Sequence, residues 1–168
     1  MNKIDKEFIK CFGIEKFIEL EISNKLQNVA TYVCNSWFGI ESIPVIITDL
    51  QNEDGRYHVN DNYIEISNKD LYNYENLLFT LLHELEHYYQ NVYSSSRNTL
   101  KAIRWRNELK NYKGINDVSY YINELEIDAY AFAEIFLETE FNIHRKHIND
   151  DIQYLIDNYI KSGKILEE

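Results

Sequence analysis

The chain is poor in the residues that bend a backbone, with one proline, Pro44, and five glycines among 168 residues. So few turn formers argue against an architecture of many short strands and favour a helix-rich chain. Cysteine is scarce as well. Cys11 and Cys34 are the only two, with no C-x-x-C spacing. They form no disulfide framework and read as reduced, mostly buried thiols. Positive charge is in deficit: the formal net charge is −11, which argues against a phosphate-binding surface and hence against a nucleic-acid partner. No apolar run approaches the length that spans a bilayer, and Met1–Glu7 lacks the apolar run of a signal peptide. The expected compartment is therefore the cytoplasm, with no membrane partner.

What the chain does have is core material. Hydrophobic residues make up 45% and aromatics 14%, with 14 tyrosines, a composition that folds rather than stays disordered. The length predicts one domain over residues 1–168, large enough for a core without disulfide staples.

The apolar positions Phe17, Ile18, Leu20, Ile22, Leu26, Val29, Ala30, Val33 and Trp37 predict a long amphipathic helix from about Ile14 to Trp37. Ile43–Ile47 reads as a buried strand. Asp54-Gly55 is a turn signal, and the alternating runs Arg56–Val59 and Tyr63–Ser67, separated by Asn60-Asp61-Asn62, predict a hairpin. Helices follow over about Tyr74–Val92, Asn123–Glu140 and Asp150–Lys161. Between the first two of these, residues 97–113 carry six cations against Glu108 alone. That segment reads as a solvated helix balancing an acidic surface, or else as a substrate-facing lid. Trp105 within it reads as a packing anchor.

His83-Glu84-Leu85-Glu86-His87 carries the chemistry. Residues four apart on a helix sit one above the other, so His83 and His87 can each offer a ring nitrogen to one metal ion. Glu84 points roughly 100° away round the helix, where it is better placed to take a proton from a water than to serve as a ligand. Both histidines lie nearly opposite the apolar stripe Leu78, Leu81, Leu82, Leu85, Tyr89 and Val92, so a second layer must cover them. The helix beginning near Asn123 is the expected cover. It offers carboxylates and no histidine, which predicts a His, His, Glu set. Two glutamates compete. Glu126 shares a face with Ala129, Tyr130 and Ala133, small enough for close approach, although with Asn123 it also fits a capping box. Glu124 shares a face with Asp128, which could orient a ligand histidine.

The stretch His83–His87, followed by Glu126-Ile127-Asp128-Ala129-Tyr130-Ala131-Phe132-Ala133, resembles the H-E-x-x-H … E-x-[E/D]-A-x-x-F-A pattern of ImmA/IrrE-type metallopeptidases. Glu86 and Tyr130 depart from it, standing where the family usually has an uncharged or small residue and often has Asn. The resemblance implies an α+β, zincin-like domain: an N-terminal helix, a small sheet, the active-site helix and a C-terminal helix bearing the third ligand. It implies zinc as cofactor, held by His83, His87 and Glu126, with Glu84 as general base. It also implies a cytoplasmic peptidase acting on a protein such as a mobile-element repressor.

The expected function is therefore zinc-dependent hydrolysis of peptide bonds in a protein substrate. The alternatives are a zincin-shaped regulatory or binding protein with weak or no catalysis, and a toxin-type protease. Tyr120, Tyr121, His144 and His147 flank the ligand helix and are the candidates to stabilise the oxyanion. A substrate strand is expected to add to an exposed sheet edge at Tyr63–Ser67, with the basic 97–113 segment selecting acidic residues.

Overall fold

In a computed structural model, residues 21–71, 73–111, 123–147 and 149–164 are described. Helix α1, Ile22–Val33, turns Leu26, Val29, Ala30 and Val33 inward, the described part of the long first helix expected from the sequence. A π-helical turn, Cys34–Phe38, extends it and stops at Gly39, whose φ of 64° is in the left-handed region that a residue without a Cβ enters freely. The Cys34 thiol is buried here, and burial pushes it up to about 11, so it is an inert packing group. Cys11 lies outside the described residues.

Three short strands follow: β1 Val45–Thr48, β2 Gly55–His58 and β3 Tyr63–Ser67. The hairpin turn closes through Asn62, in left-handed conformation at φ 55°, whose N–H donates to His58 O at 2.8 Å. The sheet order is β1-β3-β2, with β1 parallel to β3 and β2 antiparallel to it. Tyr63–Ser67 is thus the central strand and has no exposed edge, which corrects the expectation that a substrate strand adds there. The alternation that suggested a free face reflects burial instead: Ile64 and Ile66 are wholly buried. Nor is the β1 edge open at its start. The Gln27 side chain mimics a neighbouring strand, accepting from Val45 N–H at 2.9 Å and donating to Ile43 O at 3.0 Å. β2 has no strand beyond it among the described residues.

Helix α2, Tyr74–Ser96, is the centre of the fold. Leu78, Leu81, Leu82 and Leu85 join α1, Ile64 and Ile66 in the main core, as the apolar stripe predicts. Helix α3, Leu100–Lys110, follows after the Thr99 N-cap. Trp105 is fully buried there, edge-on to Tyr89 and Tyr93, with the Lys101 ammonium over its ring. Three cations of the basic segment are engaged within the chain: Lys101 is buried, Arg104 pairs with Glu124 at 2.8 Å, and Arg106 donates to Arg97 O at 2.7 Å. Helix α4, Glu124–Phe141, covers the face of α2 opposite the leucine stripe. Its Phe132, Phe136, Leu137 and Phe141 enter the main core, while Ile127 and Ala131 meet Ile152, Ile156 and Tyr159 of helix α5, Asp150–Lys161. The fold is thus mixed α+β, with five α-helices and a three-stranded sheet among the described residues. No helix of the described residues is long and apolar enough to cross a membrane.

Gly55 sets how closely α2 approaches the sheet. A Cβ there would stand 2.6 Å from Thr80 Cγ2 and 3.1 Å from Glu84 Cγ. The sequence marks Gly55 as a turn residue, but in the fold it is the first residue of β2, and what it provides is space. Because Thr is stiff at χ1, Thr80 cannot swing its methyl aside cheaply. Gly55→Ala is expected to destabilise the fold by about 1–3 kcal/mol, the usual cost of overpacking. In a Thr80→Ser background, which lacks that methyl, much of the loss should be recovered. Thermal melts of the two singles and the double check this.

Candidate metal centre

The histidines sit where one helix turn places them, and α4 makes the site by pressing onto them. Ala129 and Ala133 are fully buried in this contact and let the two backbones come close. Glu126, one turn before Tyr130, is fully buried and reaches both rings: its Oε2 stands 3.3 Å from His83 Nε2 and its Oε1 3.2 Å from His87 Nε2. The two Nε2 atoms are 3.1 Å apart. Glu124 points away to Arg104. The structure therefore brings Glu126, not Glu124, to the histidine pair. The cap at the start of α4 comes from Asn123, whose side chain accepts from Leu125 N–H at 2.8 Å.

These distances test the fit of a metal. Donors at 2.0–2.1 Å around a tetrahedral zinc stand about 3.3 Å apart; the two Nε2 atoms are 3.1 Å apart, and the Glu126 carboxylate turns one oxygen toward each ring, at 3.3 Å from His83 and 3.2 Å from His87. The buried group His83, His87 and Glu126 can hold a metal ion. In its absence, the same atoms form a charged cluster. Burial opposes a charge on His87, but the Glu126 carboxylate outweighs it and lifts the imidazole to about 9. Burial likewise works against Glu126 as an anion, but His87 and His83 hold its carboxyl well below the usual range. A proton here occupies the place of a cation.

Behind the donors, Gln90 fixes the ring of His87. Its amide nitrogen donates to Leu125 O at 2.9 Å and to Asp128 Oδ2 at 3.1 Å. With the NH₂ committed, Oε1 must face His87 Nδ1, at 3.0 Å. Nδ1 then carries the proton and Nε2 presents its lone pair to the site. Asp128 is thus one residue removed from the histidine, and Tyr159 OH holds its other oxygen at 2.8 Å. Glu86 faces this same buried group. Burial and the neighbouring Asp128 carboxylate push the Glu86 carboxyl well up, and Lys101 acts against them.

Glu84 lies outside the donor set, as the 100° offset requires. It extends toward β2, where Oε2 accepts from Tyr57 N–H at 2.8 Å. Its Oε1 has no hydrogen bond among the described residues. Burial raises its carboxyl, partly countered by His83, His87 and the Tyr57 N–H, which makes it a stronger base than an exposed glutamate.

Of the four candidate oxyanion stabilisers, Tyr120 and Tyr121 lie outside the described residues. His144 is exposed and sits 3.4 Å from Glu138. His147 is half-buried and approaches the site through Tyr130: the Tyr130 ring lies 4.4 Å from the ring of His83, and His147 lies 5.0 Å beyond, edge to face. Sequence reasoning missed Gln90, although its place one turn after His87 was a usable signal. It also missed the Tyr57 N–H, which no side-chain pattern reveals.

Compared with known proteins, the chain matches no family model, no curated protein and no solved structure.

Proposed function

We propose that the protein is a zinc-dependent peptidase with a zincin-like domain, of the kind the ImmA/IrrE resemblance implies. The observation that carries the reading is the buried His83, His87, Glu126 cluster, in which both Nε2 atoms and the Glu126 carboxylate converge, with Glu84 beside it and outside it. A buried carboxylate facing two histidines would be a costly way to build a core, and a metal site gives the cluster a purpose. His₂Glu is a donor set of catalytic zinc, leaving a fourth position open.

Zinc bound there supplies Lewis acidity, acidifying a water and polarising a carbonyl. The chain's own residues do the rest. Glu84 Oε1 takes a proton from the attacking water and returns it to the leaving amine, while the Tyr57 N–H keeps the carboxylate oriented. Gln90 keeps the His87 lone pair aimed at the donor cluster. The outer edge of β2 is the place for an extended polypeptide to add, because β3 is covered on both sides and Glu84 already reaches β2. The substrate of this reading is a protein, in the family's manner a mobile-element repressor.

The test is digestion of a mixed-sequence peptide library by the zinc-reconstituted protein. Cleavage that a chelator abolishes and added zinc restores supports the reading. A protein that binds zinc stoichiometrically and cleaves nothing would instead be a zincin-shaped binding protein, and the peptidase assignment would fall.

A further inference from the structure

We infer that Tyr159, on the last helix α5, is a positioning residue of the metal centre: acting through Asp128 and Gln90, its hydroxyl holds the ligand His87 with its lone pair toward the donor cluster. The inference rests on the metal-binding half of the peptidase reading and does not require turnover.

The path is continuous at hydrogen-bond distance. Tyr159 OH donates to Asp128 Oδ1 at 2.8 Å, Asp128 Oδ2 accepts from Gln90 Nε2 at 3.1 Å, and Gln90 Oε1 accepts from His87 Nδ1 at 3.0 Å. Gln90 and Asp128 are wholly buried and Tyr159 is nearly so. In such surroundings a polar group depends heavily on the partners it has. Burial first, then the Asp128 carboxylate, push the Tyr159 hydroxyl up, so it stays a donor throughout the range in which histidines titrate.

The hydroxyl matters because the Gln90 amide has two possible orientations. Turned end for end, it would set its NH₂ against His87 Nδ1. That nitrogen would then have to accept, leaving the proton on Nε2, where the metal must bind. Two acceptors select the productive orientation. Leu125 O is fixed by the backbone, at 2.9 Å from the amide nitrogen. Asp128 is a side chain that can turn, and Glu86 also shares a hydrogen bond with it. By occupying Oδ1, Tyr159 fixes that rotation and keeps Oδ2 for Gln90. Packing alone asks only for a phenylalanine, since the ring lies among Ile127, Ala131, Ile152 and Ile156. The hydroxyl is the part that the apolar contact does not need. Helix α5 thereby belongs to the site from behind, and because coupling between sites is reciprocal, zinc binding favours its docking in turn.

The experiment measures zinc affinity of the full chain at one pH, by competition against a chelator of known affinity. Tyr159→Phe should bind zinc roughly tenfold more weakly, the low end of the usual loss for an outer partner of a ligand histidine. Ile156→Val trims the same contact between α4 and α5 without touching the path. It should lower the melting temperature and keep the wild-type zinc affinity. Gln90→Met cuts the path, so adding Tyr159→Phe to it should weaken zinc little further. Proton NMR of the zinc-loaded protein supplies a spectroscopic signature: the His87 Nδ1–H should exchange slowly in wild type and faster in Tyr159→Phe. Wild-type affinity in Tyr159→Phe, an equal loss in Ile156→Val, or the full loss persisting in the Gln90→Met background overturns the assignment. If Gln90→Met does not fold, the comparison with Ile156→Val and the NMR signal still decide. If wild type binds zinc but cleaves no peptide, the peptidase reading falls alone and these affinities judge Tyr159 as before. If wild type binds no zinc, both fall.

Discussion

Glu84→Gln is expected to bind zinc as wild type does and to cleave peptides roughly 10²–10⁴-fold more slowly, the span attributed to a positioned general base. The substitution is nearly isosteric, so the Glu84 stem should still fit against Gly55 and Thr80. The amide oxygen can still accept from Tyr57 N–H, replacing the 2.8 Å bond that Oε2 makes now. What disappears is the basic oxygen at Oε1. Because burial already raises the carboxyl of Glu84, the wild-type residue gains proton affinity where catalysis uses it, and an amide has none to offer. Elemental analysis of the variant together with its kcat separates the outcomes. Retained zinc with wild-type turnover would remove Glu84 from the mechanism. Lost zinc would mean that Glu84 supports the donor cluster, contrary to its orientation toward β2.

The histidine pair and its cover were legible in the sequence because both follow from helix periodicity. Four-residue spacing put His83 and His87 on one face, and the leucine stripe on the other face required a second layer, which α4 provides. The limits of the final helix, Asp150–Lys161, also follow from periodicity and from the Asn149 cap. The choice between Glu126 and Glu124 was only partly legible. Both are one residue from a plausible face, and what separates them is Arg104, a residue of α3 whose proximity depends on tertiary packing. The edge position of Tyr63–Ser67 was the expectation that failed. A hairpin of β2 and β3 is a local prediction, but the parallel pairing of β1 with β3 is a long-range one, and it turned the strand expected at the edge into the centre. Gly55 shows the same limit on a smaller scale. Glycine next to aspartate looks like a turn from sequence alone, while its close contact with Thr80 exists only once α2 is laid across the sheet.

The metal itself should show the largest effect of any substitution here. The protein is expected to hold one zinc per chain, and His83→Ala, His87→Ala and Glu126→Ala should each lose it, because three donors hold the ion and two leave it weakly bound. The proton that occupies the metal-free cluster gives a second, independent signature. In the folded metal-free protein His87 is lifted to about 9 by Glu126, above the unfolded histidine value of about 6.5. A raised folded pKa contributes stability that is fully present below about 6.5 and is lost as pH rises through about 9. The metal-free protein should therefore become less stable across that interval. Zinc must displace the same proton, so its apparent affinity should rise about tenfold per pH unit over the interval and level off above about 9. Glu126→Gln removes the carboxylate that lifts His87, and in that variant the pH dependence of stability should move back toward about 6.5. Thermal melts with and without zinc from pH 6 to 10, with competition against a chelator of known affinity, measure both curves. Parallel melts at every pH, or a zinc affinity that does not change with pH, would separate the cluster from the metal and leave His83, His87 and Glu126 as a buried ion pair alone.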